Sequence, residues 1–179
     1  MSLHLILGPM FSGKSTRLIE HIRHFKTLEY PIMVIKPDID TRYTQNSSIC
    51  THNQEKESCY SIPIQSLQYV LETSEFKNAS VIMIEEAQFF TNLYDVVKEA
   101  LDIHKKHIYI TALNGDSKRQ LFGDIHLLLP LCTKIDFLQA LCIHCKDGTP
   151  AIYSKRKVET DEQISVGTNE YEAVCFKHY

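Results

Sequence analysis

The sequence lacks the features that would direct it to nucleic acid or to a membrane. Its 19 Lys and Arg residues are outnumbered by 22 Asp and Glu residues, so the net charge is −3 rather than basic. A surface whose main role is to bind nucleic acid would be basic, and we expect no nucleic-acid partner. No apolar run approaches the length of a membrane span, and the first one has no basic region before it and stops at Gly8. We therefore expect no membrane partner and a cytoplasmic location.

Internal repeats and low-complexity segments are also absent, and the composition is that of an ordinary globular chain. The 179 residues are 44% apolar and 23% charged, which is enough for one domain with a real core and a modest appendage. The six cysteines would lie in a reducing compartment, where metal binding is favoured over disulfide formation.

The most informative stretch is GPMFSGKST at residues 8–16, which matches the phosphate-loop pattern G-x-x-x-x-G-K-[ST]. An apolar run at 3–7 precedes it and predicts a buried strand, and apolar residues at helical spacing follow it. This context disfavours a chance Gly-rich turn and favours a loop that binds nucleotide phosphates. We expect Lys14 to reach the β- and γ-phosphates of ATP and Ser15 to bind Mg²⁺. The candidate ATP contacts are Gly8, Pro9, Met10, Phe11, Ser12, Gly13, Lys14, Ser15 and Thr16.

Apolar runs that alternate with helical patterns predict an α/β fold with a parallel sheet. We expect a P-loop (RecA-like), mostly parallel sheet flanked by helices at 1–141, and a small zinc-binding lasso domain at 142–179. Further strands are expected at 32–35, 81–84, 107–113 and within 134–141, and helical segments at 62–76 and around 93–101. Residues 38–61 are polar and lack periodicity, so they predict a long loop.

Two acids, Glu85 and Glu86, follow the apolar run at 81–84. The carboxyl edge of a parallel sheet is where ligands bind, and an acid there holds Mg²⁺ in the Walker-B arrangement. The second acid is then free for another role; an exposed acidic turn is the alternative. Asp40 and Arg42 follow the second strand and would lie at the same edge, although their position alone favours a solvated turn with a surface ion pair.

Two ligand pairs lie near the end of the chain, Cys142 with Cys145 and Cys175 with His178, separated by 29 residues. Such pairs supply the four ligands of a structural zinc site. A redox-active C-x-x-C is the alternative, and His144 and Cys132 are less regular substitute ligands. We assign no chemistry to Cys50 and Cys59.

Taken together, these motifs resemble the type II thymidine kinase family, the cytosolic and viral kind with a zinc-tied lasso. The resemblance covers nearly the whole chain. It rests on GPMFSGKST at 8–16, DTRY at 40–43, EEAQFF at 85–90, ALNG at 112–115, Lys118-Arg119, Phe122-Gly123, the C-x-x-C pair, YSKR at 153–156, and the loop up to Tyr171 before Cys175.

The resemblance implies transfer of the ATP γ-phosphate to the 5′-hydroxyl of deoxythymidine with Mg²⁺, with Glu86 as proton acceptor and Glu85 in the Mg²⁺ shell. Lys14 and a nearby Arg, either Arg119 or Arg42, would neutralise phosphate charge. The resemblance also implies a homotetramer and feedback inhibition by dTTP. Positions that line its nucleoside pocket fall on Met10, Phe89, Leu113, Ser117, Phe122 and Ser154, and its base-reading lasso falls on Glu162, Gln163, Ile164, Ser165 and Val166, with Tyr171 packing nearby.

The chain departs from the family pattern at four positions. Glu85 replaces the usual Asp, Ser117 replaces an aromatic residue, Gly167 stands alone where two glycines are usual, and His178 replaces the commonest fourth Cys. Two other functions compete with the kinase. An ATP-driven nucleic-acid motor would need a second core domain and a basic track, and a nucleotide-gated zinc-containing binding module would hydrolyse ATP slowly. Nucleoside-dependent release of ADP separates the three.

Overall fold

The computed structural model describes residues 1–39, 48–50, 56–158, 163, 167 and 170–179. Their strands and α-helices, in chain order, are β1 (Ser2–Gly8), α1 (Lys14–Thr27), β2 (Ile32–Pro37), β3 (Ser48–Cys50), β4 (Lys56–Ser58), β5 (Tyr60–Ile62), α2 (Ser74–Asn78), β6 (Val81–Ile84), α3 (Leu93–Asp102), β7 (His107–Leu113), β8 (Lys134–Phe137), β9 (Ala140–Leu141), β10 (Pro150–Ala151), β11 (Tyr153–Arg156) and β12 (Tyr171–Val174). Short 3₁₀ helices lie at Leu67–Glu72, Ala87–Phe89, Ile125–Leu131 and Phe176–His178.

Six strands form a parallel sheet in the order β5-β2-β6-β7-β1-β8. The register places Gly8 beside Leu113 and Ile35 beside Ile84, so the central strands end at one edge. The phosphate-loop sequence leaves this edge after β1, and the two acids leave it after β6. The predicted α/β fold with a parallel sheet is confirmed, and the sheet edge brings together segments that lie far apart in the chain.

Successive residues of each strand point to opposite sides of the sheet, and different helices cover the two sides. Val34 and Met83 face α1 and pack with its buried Leu18, Ile19 and Ile22. The other face carries a larger cluster in which α3 and the first three 3₁₀ helices cover the sheet. This core fixes β1, β6 and β7, and therefore fixes the loops at their carboxyl ends. Among the residues described here, no helix is both long enough and apolar enough to cross a bilayer.

The expectation of a single long loop at 38–61 is wrong for the part that the structure describes. The antiparallel β3–β4 pair lies against α1, and β5 adds an edge strand to the sheet beside β2. Each of these strands is only three residues long, with Ile49 and the neighbouring Cys59 as the apolar residues buried under α1. Such short, mostly polar strands show no clear alternation, so the pattern could not reveal them.

The last part of the chain forms a small unit from two antiparallel pairs, β9–β10 and β11–β12. Its core consists of small residues and cysteines: Ala140, Cys142, Ala151, Ala173, Val174 and Cys175. A core this small buries little apolar surface, which indicates that something other than hydrophobic burial holds the unit together. The domain boundary between 141 and 142 stays a prediction.

Candidate active site

The phosphate loop turns tightly between β1 and α1. A side chain at Gly8 would bring its Cβ within 2.5 Å of the Leu138 carbonyl oxygen and 2.7 Å of the Ser12 hydroxyl. Gly13 has φ of +84°, a left-handed conformation that a residue with a side chain adopts only with strain. The glycines therefore allow the chain to fold back and present the N-terminus of α1 at the sheet edge.

Lys14, the first residue of α1, lies over this loop. Its ammonium group is buried and donates to the carbonyl oxygen of Pro9 at 2.7 Å, and the Ser12 hydroxyl donates to the same oxygen at 2.8 Å. Ser15 and Thr16 occupy the first turn and are partly buried. A cation at the first turn of a helix, where the positive end of the helix dipole lies, is a site for phosphate oxygens.

Glu85 and Glu86 are both buried where β6 ends, with 3% and 5% of their surface exposed. The prediction that two carboxylates reach the sheet edge is confirmed, and the alternative of an exposed acidic turn is excluded. Glu86 has φ of +49°, uncommon for a residue with a side chain, and its N–H donates to the Thr111 hydroxyl at 3.3 Å. Such backbone strain clusters at functional sites.

Gln88 orients the Glu86 carboxylate, and the sequence analysis missed it. The Leu113 N–H donates to Gln88 Oε1 at 3.2 Å, which turns Nε2 towards Glu86, where it donates to Oε2 at 2.6 Å. Because the backbone donor fixes the amide orientation, the carboxylate is held as an acceptor. The EEAQFF string gives no sign of this role, because the role depends on the position of Leu113 at the end of β7.

Glu86 opens on a central cavity of about 430 Å³, part of which is open solvent. Nine of its lining residues were sequence candidates, and Asp116 and Gly167 join them. The full lining is Met10, Glu86, Phe89, Leu113, Asp116, Ser117, Phe122, Ser154, Gln163, Gly167 and Tyr171. The structure thus brings together residues from the phosphate loop, the sheet edge and the C-terminal unit.

Apolar and aromatic groups shape the walls of the central cavity. The Phe89 and Phe122 rings meet edge to face, with centroids 5.4 Å apart and an interplanar angle of 86°. Met10 is buried, and its N–H donates to the hydroxyl of the buried Ser154 at 2.8 Å. This bond joins the phosphate loop directly to β11, so the cavity floor is continuous between the two parts of the chain.

Asp116 links the central cavity to Gln163. One carboxylate oxygen accepts from the N–H groups of Lys118 and Gln120 at 2.9 and 2.8 Å, and the other accepts from Gln163 Nε2 at 2.7 Å. Gln163 Nε2 also donates to the Leu121 carbonyl oxygen at 3.1 Å. Asp116 follows ALNG in a polar turn, but nothing in its local sequence distinguishes it from a solvated turn residue.

Arg119 lies beside the central cavity rather than in its lining. Its guanidinium carbon is 4.0 Å from the centre of the Tyr179 ring and 5.5 Å from that of Tyr153. It lines a neighbouring cavity of about 380 Å³, part of it open solvent, together with Asn114 and Ile152. Asp40, Arg42, Glu162, Ile164, Ser165 and Val166 lie outside the described residues.

The predicted metal ligands form one cluster. The ligand atoms of Cys142, Cys145, Cys175 and His178 all lie within 4.8 Å of one another. His178 Nδ1 is 3.3 to 3.5 Å from the three sulfur atoms, and the Cys145 and Cys175 sulfurs are 3.7 Å apart. Tetrahedral Zn²⁺ with ordinary Zn–S and Zn–N bonds requires ligand separations of about 3.5–3.8 Å. The donor set therefore fits zinc, and the sequence prediction of these four ligands agrees with the geometry.

The two substitute ligands have other contacts. His144 Nε2 lies 2.9 Å from Glu172 Oε1, and the Cys132 thiol donates to the Leu129 carbonyl oxygen at 3.1 Å. Neither belongs to the cluster.

Burial raises the pKa of Cys142, but backbone hydrogen bonds outweigh it and lower the pKa to about 5. Burial and the neighbouring thiols raise the pKa of Cys145 to about 11. A bound Zn²⁺ would take all three cysteines as thiolates, and its charge would offset their repulsion.

Met10 of the phosphate loop and Glu86 line the same cavity, so a phosphate-binding loop and a buried carboxylate face one candidate acceptor pocket. A family model described as thymidine kinase matches residues 1–179. Human cytosolic thymidine kinase is 37% identical over 175 residues, which are 97% of this chain and 70% of that protein. Myxoma virus (strain Lausanne) thymidine kinase is 37% identical over 180 residues, covering 99% of this chain and 95% of the relative.

A plant relative is longer. The thymidine kinase of Oryza sativa subsp. japonica is 36% identical over 180 residues, and the chain spans 65% of its length. Full coverage by the family model, together with relatives above 30% identity, assigns the family. The chain belongs to the thymidine kinase family.

Proposed function

We propose that this member of the thymidine kinase family transfers the γ-phosphate of ATP to the 5′-hydroxyl of deoxythymidine to give dTMP. ATP binds at the phosphate loop, residues 8–16, and deoxythymidine occupies the central cavity. The observation that carries the proposal is that Met10, Glu86 and Tyr171 line this one cavity. A nucleoside bound there has its acceptor hydroxyl between a buried carboxylate and the phosphate-binding loop, which is the geometry that phosphoryl transfer requires.

Glu86 accepts the proton of the 5′-hydroxyl as the oxygen attacks the γ-phosphate. Its support is the bond from Gln88, which holds the carboxylate as an acceptor. A positioned general base contributes about 10²–10⁴-fold to the rate. Gln88 is the residue that keeps this base oriented before the substrate arrives.

Lys14 balances the charge on the transferring phosphate, together with an arginine that is either Arg42 or Arg119. Ser15 and Glu85 would hold Mg²⁺, which neutralises charge on the β- and γ-phosphate oxygens when bound. Glu85 is buried at the end of β6, at the same sheet edge as the phosphate loop. Asp40 completes the proposed ATP contacts.

The thymine base packs against the touching rings of Phe89 and Phe122, with Leu113 and Met10 as further apolar contacts and Ser117 and Ser154 as polar contacts of the pocket. Gln163 and Tyr171 bring the C-terminal unit to the same cavity, which supports a base-reading role for the segment that also contains Glu162, Ile164, Ser165 and Val166. In this proposal the segment is a lasso within a zinc-binding domain at 142–179, and Zn²⁺ bound by three cysteines and His178 holds its base closed.

Three further properties belong to the proposal. The triphosphate dTTP carries both a thymine and a phosphate chain, so it could span the central cavity and the phosphate loop and inhibit as an end product. The edge strand β8 exposes 45% of Ile135 and 53% of Phe137, which supports burial in a homotetramer. A cytoplasmic location agrees with the human relative, which is named cytosolic.

A nucleoside panel tests the proposal. The chain is incubated with ATP, Mg²⁺ and each deoxynucleoside in turn, and both the nucleoside monophosphate and ADP are measured. We expect dTMP and stoichiometric ADP with deoxythymidine, and neither product with the Lys14→Ala control. ADP release that no nucleoside stimulates would overturn the kinase and favour the nucleotide-gated binding module.

A further inference from the structure

The C-terminal unit touches the wall of the central cavity at a place that the reaction itself does not explain. Tyr179 donates from its hydroxyl to the Ser117 carbonyl oxygen at 2.7 Å. Its ring lies under the Arg119 guanidinium at 4.0 Å and meets the Tyr153 ring edge to face at 5.2 Å. We call Tyr153, Tyr179 and Arg119 the clamp.

The clamp contacts the loop at residues 114–120, which is closed by its own hydrogen bonds. Between residues 114 and 120 the loop is closed by backbone bonds from Asp116 N–H to the Gln120 carbonyl and from Arg119 N–H to the Asp116 carbonyl, at 3.0 and 3.1 Å. Asp116 also accepts from two N–H groups within the loop. Arg119 has φ of +58°, an uncommon conformation at the tip of this turn. Because these internal bonds close the loop, we expect a bond at Ser117 also to restrain Asp116.

The other end of the clamp is fixed by the metal cluster. Tyr179 follows His178 directly, and the His178 N–H donates to the Cys175 carbonyl oxygen at 3.1 Å. The His178 carbonyl oxygen accepts from Lys155 Nζ at 3.1 Å. The backbone that carries the Tyr179 ring is therefore held by a metal ligand on one side and by β11 on the other.

We propose that the clamp positions the nucleoside. Through Tyr179 and Arg119, the backbone fixed at the zinc cluster holds the cavity wall at Asp116 and Ser117 in place. Arg119 acts through its flat guanidinium, which lies over the Tyr179 and Tyr153 rings, rather than as the arginine for the phosphates. The inference rests on the proposed function, because it assigns the central cavity to the nucleoside.

Tyr179 variants test the clamp in the zinc-loaded chain. Tyr179→Ala removes both the stacking and the hydroxyl, and it should raise the KM for deoxythymidine about tenfold, with the KM for ATP and kcat changing less than about twofold. Tyr179→Phe keeps the ring and should give a smaller rise. Lys177→Ala is the matched control, because Lys177 lies on the adjacent 3₁₀ helix and is exposed, and it should change neither constant.

Arg119 provides the second arm. Arg119→Lys keeps the charge but loses the planar stack, so the clamp predicts a raised deoxythymidine KM with nearly normal kcat. A phosphate-binding role predicts the reverse split, a fall in kcat, and that result would overturn the assignment. The double variant Arg119→Lys with Tyr179→Ala should raise KM no more than Tyr179→Ala alone; multiplied effects would show that the two residues do not act together.

A readout without activity separates this inference from the proposed function. Hydrogen exchange of residues 114–120 should be faster in Tyr179→Ala than in the unaltered chain, at equal zinc content by metal analysis. If the unaltered chain phosphorylates no nucleoside but this acceleration is seen, the proposed function fails and the clamp stands. Unchanged exchange with bound zinc would overturn the clamp.

Discussion

The sheet edge and the C-terminal unit contribute to the same cavity, but different forces hold them. The phosphate loop and the two acids are placed by strands buried on both faces in a large apolar core. The C-terminal unit has a core of three alanines, a valine and two cysteines, and both of these cysteines belong to the candidate metal cluster. Burial of a Leu or Ile side chain contributes about 1.5–3 kcal/mol, whereas the small unit has few such side chains, and a bound metal would add folding free energy.

The comparison separates the region proposed for phosphate transfer from the region proposed for nucleoside recognition. Chemistry on phosphate needs fixed charges, and the rigid sheet provides them. In the proposed function, recognition of the nucleoside uses the C-terminal unit, which must admit and release its ligand. A metal bound at the cluster would close the base of this unit without a large core. Changes to the two regions should therefore have separable effects.

The largest effect is expected on the sheet side, from Lys14→Ala. Removing this cation from the phosphate loop should lower kcat/KM by about 10³-fold or more, because it neutralises charge that develops in transfer. The thermal midpoint should stay within a few degrees, since Lys14 packs against the loop and not within the apolar core. Near-normal nucleoside phosphorylation by this variant would remove the phosphate-loop assignment.

Glu85 and Glu86 both lie on the sheet side, but their variants should show different kinetic defects. Glu86→Gln should lower the chemical step by about 10²-fold or more and leave ATP binding intact, because the general base is lost. Glu85→Gln should instead raise the Mg²⁺ concentration needed for half-maximal rate. Single-turnover kinetics across a Mg²⁺ titration measures both, and identical behaviour of the two variants would contradict the separate roles. Gln88→Leu should lie between the unaltered chain and Glu86→Gln.

On the other side of the comparison, Cys175→Ser should raise the deoxythymidine KM by about 10- to 100-fold while the ATP KM changes little, because the lost zinc ligand loosens only the small unit. Cys132→Ser is the matched control, since Cys132 lies outside the cluster. Limited proteolysis should cut Cys175→Ser within 142–179 and spare the sheet. A loss of ATP binding equal to the loss of deoxythymidine binding would show that the two regions are not separable.

The smallest effect concerns acid stability on the sheet side. His4 on β1 and His21 on α1 meet edge to face with ring centroids 5.4 Å apart, and Tyr109 packs against both. Burial lowers the pKa of His4 despite its 2.9 Å contact with Asp136, and burial, then the neighbouring His4, lowers the pKa of His21. His21 Nε2 is buried without a hydrogen-bond partner among the described residues.

The sign of the pH dependence follows from these directions. Below the unperturbed His value of 6.5 the unfolded chain binds more protons than the folded one, so stability is full above pH 6.5 and is lost as pH falls through the lowered values. His21→Phe keeps an aromatic ring at this position but removes one of the two histidines of this cluster that titrate. The thermal midpoint should therefore fall by a few degrees less between pH 7 and pH 5 than in the unaltered chain. His24→Gln, an exposed site on the same helix, should leave the curve unchanged. A fall that His21→Phe does not reduce would contradict this account.

Much of the sheet side could be predicted from sequence because its signals are local. The strand before the phosphate loop and the run before Glu85 are continuous apolar segments, and they become buried parallel strands. Gln88 and Asp116 could not be assigned, since their bonds depend on strand register and on a turn that closes on itself. The zinc ligands were predictable as two local pairs, but the contact of Tyr179 with Ser117 joins residues 62 positions apart and has no sequence signal.

Hydrogen exchange of the chelated chain tests most directly whether metal holds one region and the apolar core holds the other. The zinc-loaded protein is compared with the same protein after treatment with a zinc chelator, and peptides are followed across 1–179. We predict faster exchange in β9–β12 and in the loop at 114–120, with α1, β1, β6 and β7 still protected. Equal protection of β9–β12 with and without zinc, or a loss that extends through the sheet, would contradict the account.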